Sequence, residues 1–278
     1  MVLRLAVGLL SLSVLAFGGP AADAAPNRVF APRAVGEGQV SSNWAGYALT
    51  GTNASGTATS YSNVVGSWVQ PKVTCTAGQP SYSAFWVGLG GFSDDAQALE
   101  QIGTESNCET RGRPVYAAWY EIVPAPSIPI AMKMAPGDRM TAAVLVQGMQ
   151  VTLQLTNTTR HIRVTRRVTV QQPDLTSAEW IAEAPSSCSS SGQCRTLPLA
   201  DFGTISFARA AATGDGHAGT ISDPAWQATP VELAELGQDG LDPSFAGMQP
   251  SLATSGASPG PLSADGRGFA VAWHPASD

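Results

Sequence analysis

Two glutamates four residues apart stand out in the run Ser177-Ala178-Glu179-Trp180-Ile181-Ala182-Glu183. The run reads as a short β-strand, and in an extended chain residues an even number apart share a face. Glu179, Ile181 and Glu183 therefore point one way, and Trp180 and Ala182 the other. A carboxylate fixed on a strand can act as a general base or acid, or it can be an ordinary solvated strand residue. A glycosidase pair would hold its carboxyls ~5–9 Å apart. Same-face residues four apart on a strand stand ~13 Å apart at Cα, so Glu179 and Glu183 do not make that pair.

Other hydrolytic chemistries find little support. The sequence has no H-E-x-x-H, no Asp-Thr/Ser-Gly segment for an aspartic dyad, no dinucleotide or P-loop glycine pattern and, as read here, no nucleophile elbow. His161, His217 and His274 are scattered, which argues against a Ser-His-Asp triad and against zinc. A hydrolase built on this chain has to work with carboxylates and amides.

The N-terminus has the form of a secretory signal: Arg4, an apolar run from Leu5 to Phe17, and an A-x-A site at Ala22-Asp23-Ala24. Cleavage is expected near Ala24 or Ala25, giving a secreted, extracellular protein with no membrane association afterwards. Removing residues 1–24 takes away one base and one acid, so the net charge stays at −6. Lys72 and Lys133 are the only lysines. Such a balance argues against nucleic acid as a partner, since phosphate binding needs clustered cations. In an oxidising compartment, Cys75, Cys108, Cys188 and Cys194 are expected to form bridges. Of three possible pairings, Cys188–Cys194 would staple a short hairpin and leave Cys75 with Cys108.

Stepping along the chain, short strands separated by Gly/Pro turns dominate, and no amphipathic helix is apparent. Residues 25–39 read as a disordered or processed lead-in, with order starting near Val40. Strands are expected over Ser42–Leu49, Val64–Val69, Tyr82–Leu89, Ala96–Gly103 and Pro114–Val123. Three more follow at Met140–Val146, Gln150–Thr156 and His161–Val170, then Ala178–Ala184 and Phe202–Ala208. Pro230–Leu236 reads as strand or short helix, and Gly268–Trp273 as a closing strand beyond a Gly/Pro/Ser-rich stretch. The arginines at 160, 163, 166 and 167 read as a solvated β face rather than an anion site. The pattern predicts an all-β sandwich or barrel of 40–237, followed by a tail or long loop at 238–278. Strand tryptophans beyond the needs of a core make carbohydrate binding the plainest function for such a fold.

Seven motifs occur in order between about Val40 and Phe207: Asn43-Trp44-Ala45-Gly46, Trp68-Val69-Gln70-Pro71, Phe85-Trp86-Val87-Gly88-Leu89-Gly90-Gly91, Leu99-Glu100-Gln101-Ile102-Gly103, Ala118-Trp119-Tyr120-Glu121, Pro136-Gly137-Asp138 and Ala178-Glu179-Trp180-Ile181-Ala182-Glu183. Together they resemble the glutamic peptidases, the eqolisins or peptidase family G1, and the chain is read as a bacterial-type secreted member. The resemblance implies a two-sheet antiparallel β-sandwich of jelly-roll type. It also implies acid endopeptidase activity on polypeptides by a monomer, without metal or cofactor. By matching motifs, Gln101 and Glu179 are the catalytic pair. Trp86 and Trp44 line the substrate cleft, and Glu121 and Glu183 stand at supporting or subsite positions.

It further implies a flap at about Val123 to Pro136 and a disulfide-closed loop at Cys188–Cys194 near the cleft. A glutamate near the ordinary pKa of ~4.3 would take a proton from a water held by the glutamine amide. Glu100, next to Gln101, should face the other way. Two departures from the fungal pattern remove negative charge: Gly90 and Ala117 stand where acidic residues are usual. The competing reading is a non-catalytic carbohydrate- or peptide-binding β-sandwich.

Overall fold

The computed structural model describes Arg28–Val29, Val35–Gly36 and residues 40–93, 96–188, 194–234 and 255–275. The expected signal sequence lies outside the described residues. Among these residues there are twenty strands and no helix. They are β1 (Arg28–Val29), β2 (Val35–Gly36), β3 (Val40–Ser41), β4 (Trp44–Thr50), β5 (Tyr61–Val69), β6 (Ala84–Leu89), β7 (Leu99–Cys108), β8 (Pro114–Val123), β9 (Ile128–Ile130) and β10 (Arg139–Gln147). The second half adds β11 (Gln150–Asn157), β12 (Ile162–Thr169), β13 (Ala178–Glu183), β14 (Ser186–Cys188), β15 (Cys194–Thr196), β16 (Thr204–Gly214), β17 (His217–Thr220), β18 (Gln227–Leu233), β19 (Ser255–Pro259) and β20 (Phe269–Pro275).

A small sheet, β1-β14-β15, is closed by the Cys188–Cys194 bridge; the second bridge joins Cys75 to Cys108. All other strands belong to one large sheet. Its backbone runs β12-β11-β10-β5-β16-β20-β19-β18-β4-β13-β6-β7-β8-β9 through successive pairings. Every strand pairing among the described residues is antiparallel except β18 with β3, where Glu232 lies beside Val40. Of Pro230–Leu236, open between helix and strand in the sequence, the part up to Leu233 lies in β18, and residues 235 and 236 lie outside the described residues.

The run folds over so that β5, β10 and β11 pack beneath β6, β7 and β13. The core lies between them. Val64, Val144, Val151, Leu153 and Leu155 from one side meet Phe85, Val87, Ile102 and Trp180 from the other. The alternating burial of β10 and β11 follows from their period-two hydrophobic pattern. Two indoles tie the halves together through polar atoms. Trp180 Nε1 donates to the Val65 carbonyl at 2.8 Å, and Trp68 Nε1 to Thr104 Oγ1 at 3.0 Å. A buried Trp needs such a partner.

Strands β6, β7 and β13 are buried along their whole length. One face of each meets the core. The other holds a second apolar cluster of Trp44, Trp86, Leu99, Trp119, Val123 and Ile181. The carboxylates of the opening motif stand on that second face.

Candidate functional site

Strand register assembles the site. Antiparallel partners directly opposite each other project to the same side. Glu179 of β13 pairs with Gly88 of β6, Gly88 with Gln101 of β7, and Gln101 with Glu121 of β8. These residues form one row across four neighbouring strands, and Gly88 is the only member without a side chain. Glu179 and Gln101 thus stand two interstrand spacings apart, ~10 Å at Cα, with only the side-chain-free Gly88 between them in the row. Trp86 and Leu99 close over that position: a Cβ at Gly88 would come to 2.9 Å from Trp86 and 3.0 Å from Leu99, so only glycine fits there without a shift of its neighbours.

The Gln101 side chain is held by one strong contact: Nε2 donates to Glu121 Oε2 at 2.7 Å. Its Oε1 is buried without a hydrogen-bond partner. Both oxygens of Glu179 are also buried, and neither makes a well-formed hydrogen bond, although the Ser177 hydroxyl lies close enough to act on them. Burial, first of all, raises the Glu179 pKa well above the ordinary 4.5; the charges of Asp174 and Glu100 add to the rise, and the Ser177 hydroxyl opposes it. This corrects the expectation of a glutamate with an ordinary pKa. The sequence motif shows no desolvation, which arises when β4 and β6 flank β13 and Trp86 roofs the row.

The next rows form the wall. Trp86 and Ile181 are cross-strand partners, and Trp44 meets Trp86 edge-on at 5.0 Å between ring centroids. Glu183 accepts from Trp86 Nε1 at 2.7 Å and from Asn43 Nδ2 at 3.0 Å. It is fully buried, and that burial raises its pKa well above normal, with Glu121 pushing the same way. Glu105 shares this face and accepts a hydrogen bond from Asn107 Nδ2. All six site residues read from sequence therefore lie on one face. Two of them, Gln101 and Glu121, are in direct contact, and Glu183 holds the Trp86 indole.

Several participants were not assigned from sequence. Gly88 and Asn43 sit inside motifs already singled out, but their roles emerge only from cross-strand register. Asp174 lies in a loop without any pattern. Its Oδ2 accepts from the Gly91 amide at 3.1 Å, and its Oδ1 from the Thr176 amide at 2.9 Å and hydroxyl at 2.7 Å. A Cβ on Gly90 would lie 2.5 Å from Asp174 Cβ, and Gly90 has φ +83°. The missing carboxylate at position 90 is thus answered by one arriving from the loop before β13. Glu100 faces the core side, as strand alternation required, and is fully buried.

A G-x-S-x-G spacing does occur, Gly256-Ala257-Ser258-Pro259-Gly260, which corrects the reading that no such motif is present. It lies within β19 rather than on a strand-to-helix turn. Ser258 Oγ approaches His274 Nε2 at 3.1 Å and donates to Glu232 Oε1 at 2.9 Å. The following residue is proline, which has no N–H for an oxyanion hole. Ser258 is not an acylating serine. Among the described residues no group of three or more His, Cys, Asp or Glu is placed to hold a metal ion.

The row has the parts of a water-activating site: a glutamine amide oriented by one carboxylate, with a second carboxyl across Gly88. The family model for the peptidase A4 family matches residues 42–240. Aspergillopepsin-2 of Aspergillus niger is 27% identical over 233 residues, covering 75% of this chain and 76% of its own length. Among solved structures, Scytalido-glutamic peptidase with a peptide-based transition state analog aligns with TM-score 0.61 at 22% identity, covering 84% of this chain and 98% of that one. Aspergilloglutamic peptidase from Aspergillus niger aligns with TM-score 0.50 at 24% identity, covering 70% and 99%. These relatives are fungal, from Aspergillus and Scytalidium, so the bacterial-type assignment is corrected.

Proposed function

This chain belongs to the peptidase A4 family and is a glutamic-type peptidase that hydrolyses polypeptides, and we propose that Gln101 and Glu179 are its catalytic pair. The observation that carries this assignment is the row Glu179–Gly88–Gln101–Glu121. With one amide N–H given to Glu121, Gln101 keeps its carbonyl oxygen to hold a water over Gly88 and its second N–H for an oxyanion. Ionised Glu179 takes a proton from that water as the oxygen attacks the peptide carbonyl. The resulting negative charge meets the Gln101 N–H. The tetrahedral species collapses as Glu179 returns the proton to the leaving amine, so acid and base roles alternate on one carboxyl. Trp44 and Trp86 line the cleft, with Glu183 fixing the Trp86 indole through its N–H.

The hydrogen-bonded Gln101–Glu121 pair favours a second reading, in which Glu121 is the base. Its carboxylate is already engaged by the amide it would share with the water, whereas neither Glu179 oxygen makes a well-formed hydrogen bond. We therefore assign Glu121 to orienting Gln101.

The two packed halves of the large sheet support a jelly-roll-like sandwich for residues 40–237. The N-terminal sequence supports secretion, and the acidic balance supports a monomeric enzyme with no nucleic-acid partner. The test is hydrolysis of a denatured protein between pH 2 and 7 by wild type, Glu179→Gln, Gln101→Ala and Glu121→Gln. Abolished cleavage with Glu179→Gln and only partial loss with Glu121→Gln is expected. Undiminished cleavage by Glu179→Gln would overturn the assignment.

A further inference from the structure

On the core-facing side of β7 and β8, behind the catalytic row, lies a cavity of about 960 Å³. Ile122, Ile128, Val168, Val170 and Leu175 make much of its wall apolar. Two acids line it, Glu100 and Asp174, and no lysine, arginine or histidine does. Glu100 is fully buried, and neither of its carboxyl oxygens makes a well-formed hydrogen bond; the backbone N–H groups of Asp174 and of Glu100 itself offset only part of the burial. A buried polar group left in that condition calls for a cause, because desolvation without compensation is costly. Asp174 is held rigidly by the Gly91 amide and by Thr176. The cavity thus joins an apolar wall to an unsatisfied carboxyl and a second acid fixed nearby.

We propose that this cavity binds an organic cation, a protonated amine or guanidinium on an apolar stem, with Glu100 as its counter-ion and Asp174 as a second negative charge. An anion would be repelled by both acids, and a neutral alkane would leave the Glu100 oxygens unsatisfied. A cationic head answers both oxygens with N–H donors, while its stem covers the apolar wall. The charge acting on Glu100 is that of Asp174, from the loop before β13; Glu100 in turn raises Glu179 of β13, and Tyr120 of β8 lines the cavity; none of the three is cationic. Burial, reinforced by the Asp174 charge, pushes the Glu100 pKa up to about 8. A cation must therefore displace a proton, and its affinity rises with pH until Glu100 is ionised. The site stands independently of which glutamate is the catalytic base.

The experiment is calorimetric titration of the full protein with 4-phenylbutylamine, and separately with a capped hexapeptide carrying one central arginine or norleucine in its place. The amine should bind at pH 8.5 with affinity falling about tenfold per pH unit below about 8, with one proton released per ligand at pH 6.5. Binding should weaken at least tenfold in Glu100→Gln. The second variant, Ala98→Phe, fills the cavity while leaving the carboxyl in place and should weaken binding as much. Binding of the amine alone assigns the site to small cations; arginine-dependent binding of the hexapeptide as well assigns it to basic side chains. Failure of both ligands to bind wild type, or binding unchanged in both variants, overturns the proposal.

Discussion

Strands β7 and β11 are both interior strands of the large sheet, each paired on two sides, yet they meet burial in opposite ways. In β11, Val151, Leu153 and Leu155 are fully buried, and the residues between them on the other face, Thr152, Gln154 and Thr156, are partly solvated. In β7 every residue is buried, although Glu100, Gln101, Thr104, Glu105, Ser106 and Asn107 are polar. A strand buried on both faces would ordinarily be apolar throughout. Each polar side chain in β7 must find an internal partner or remain a liability. Gln101 finds Glu121, Thr104 finds Trp68, Ser106 finds Gln70 and Asn107 finds Glu105. Glu100 finds none. The β10–β11–β12 side supplies cohesion, and β7 with β13 holds the buried polar groups proposed for catalysis, at a cost in stability that this cohesion offsets.

Substitutions on the two sides should therefore fail differently. The largest effect is expected for Glu179→Gln, which should lower kcat/KM by about 10³-fold or more, given that proton transfer is central to the mechanism. Its melting temperature at neutral pH should be unchanged or higher, since a buried carboxyl is removed. Gln101→Ala should cost about 10²- to 10³-fold in kcat, the scale of losing an oxyanion donor. On the other side, Leu153→Ala should destabilise by about 2–5 kcal/mol in denaturant unfolding. Its kcat/KM per folded molecule should stay close to wild type; a large loss of activity at full folding would collapse the distinction between the sides.

The pH dependence follows from the buried acids. Glu100 has a folded pKa of about 8 against an ordinary 4.5, and Glu179 and Glu183 shift in the same direction. The folded state holds these protons more tightly than the unfolded chain. The stability they contribute is fully present below about pH 4.5 and is lost as pH rises through about 8. Melting temperatures between pH 4 and 9 should decline across that window, and Glu100→Gln should flatten the decline. An equally steep decline in the variant would remove Glu100 from the account. For catalysis the sign is opposite: a base must lose its proton, so the ascending limb of kcat/KM should lie above the ordinary glutamate value of 4.5. The smallest effect is expected for Trp86→Phe, which removes the 2.7 Å donor to Glu183 and should cost about tenfold in kcat/KM.

The cohesive side was largely legible in the sequence, because β10 and β11 alternate with period two and end at turn residues. The glutamic-peptidase motifs are what singled out Gln101 and Glu179, since nothing local about Leu99-Glu100-Gln101 marks the amide for chemistry. Cross-strand relations were not legible: Gly88 as the gap in the row, Asn43 on Glu183, and Asp174 filling the space beside Gly90. Each depends on register between distant segments. Strand β19, Ser255–Pro259, was missed because Ser, Gly, Ala and Pro carry little strand propensity, and it forms through pairing with β20. The hairpin joining β16 to β17 had an Asp215-Gly216 turn signal that went unused. The raised pKa of Glu179 was beyond any motif, since it reflects what packs above and beside the strand.

The central claim is that Glu179 and Gln101 share one water over Gly88. A high-resolution crystal structure of the unliganded protein at the pH of activity tests it most directly. The account predicts an ordered water within about 3 Å of both a Glu179 carboxyl oxygen and Gln101 Oε1. A water bound between Gln101 and Glu121 with none reaching Glu179, or a Glu179 side chain turned away from the row, would contradict it.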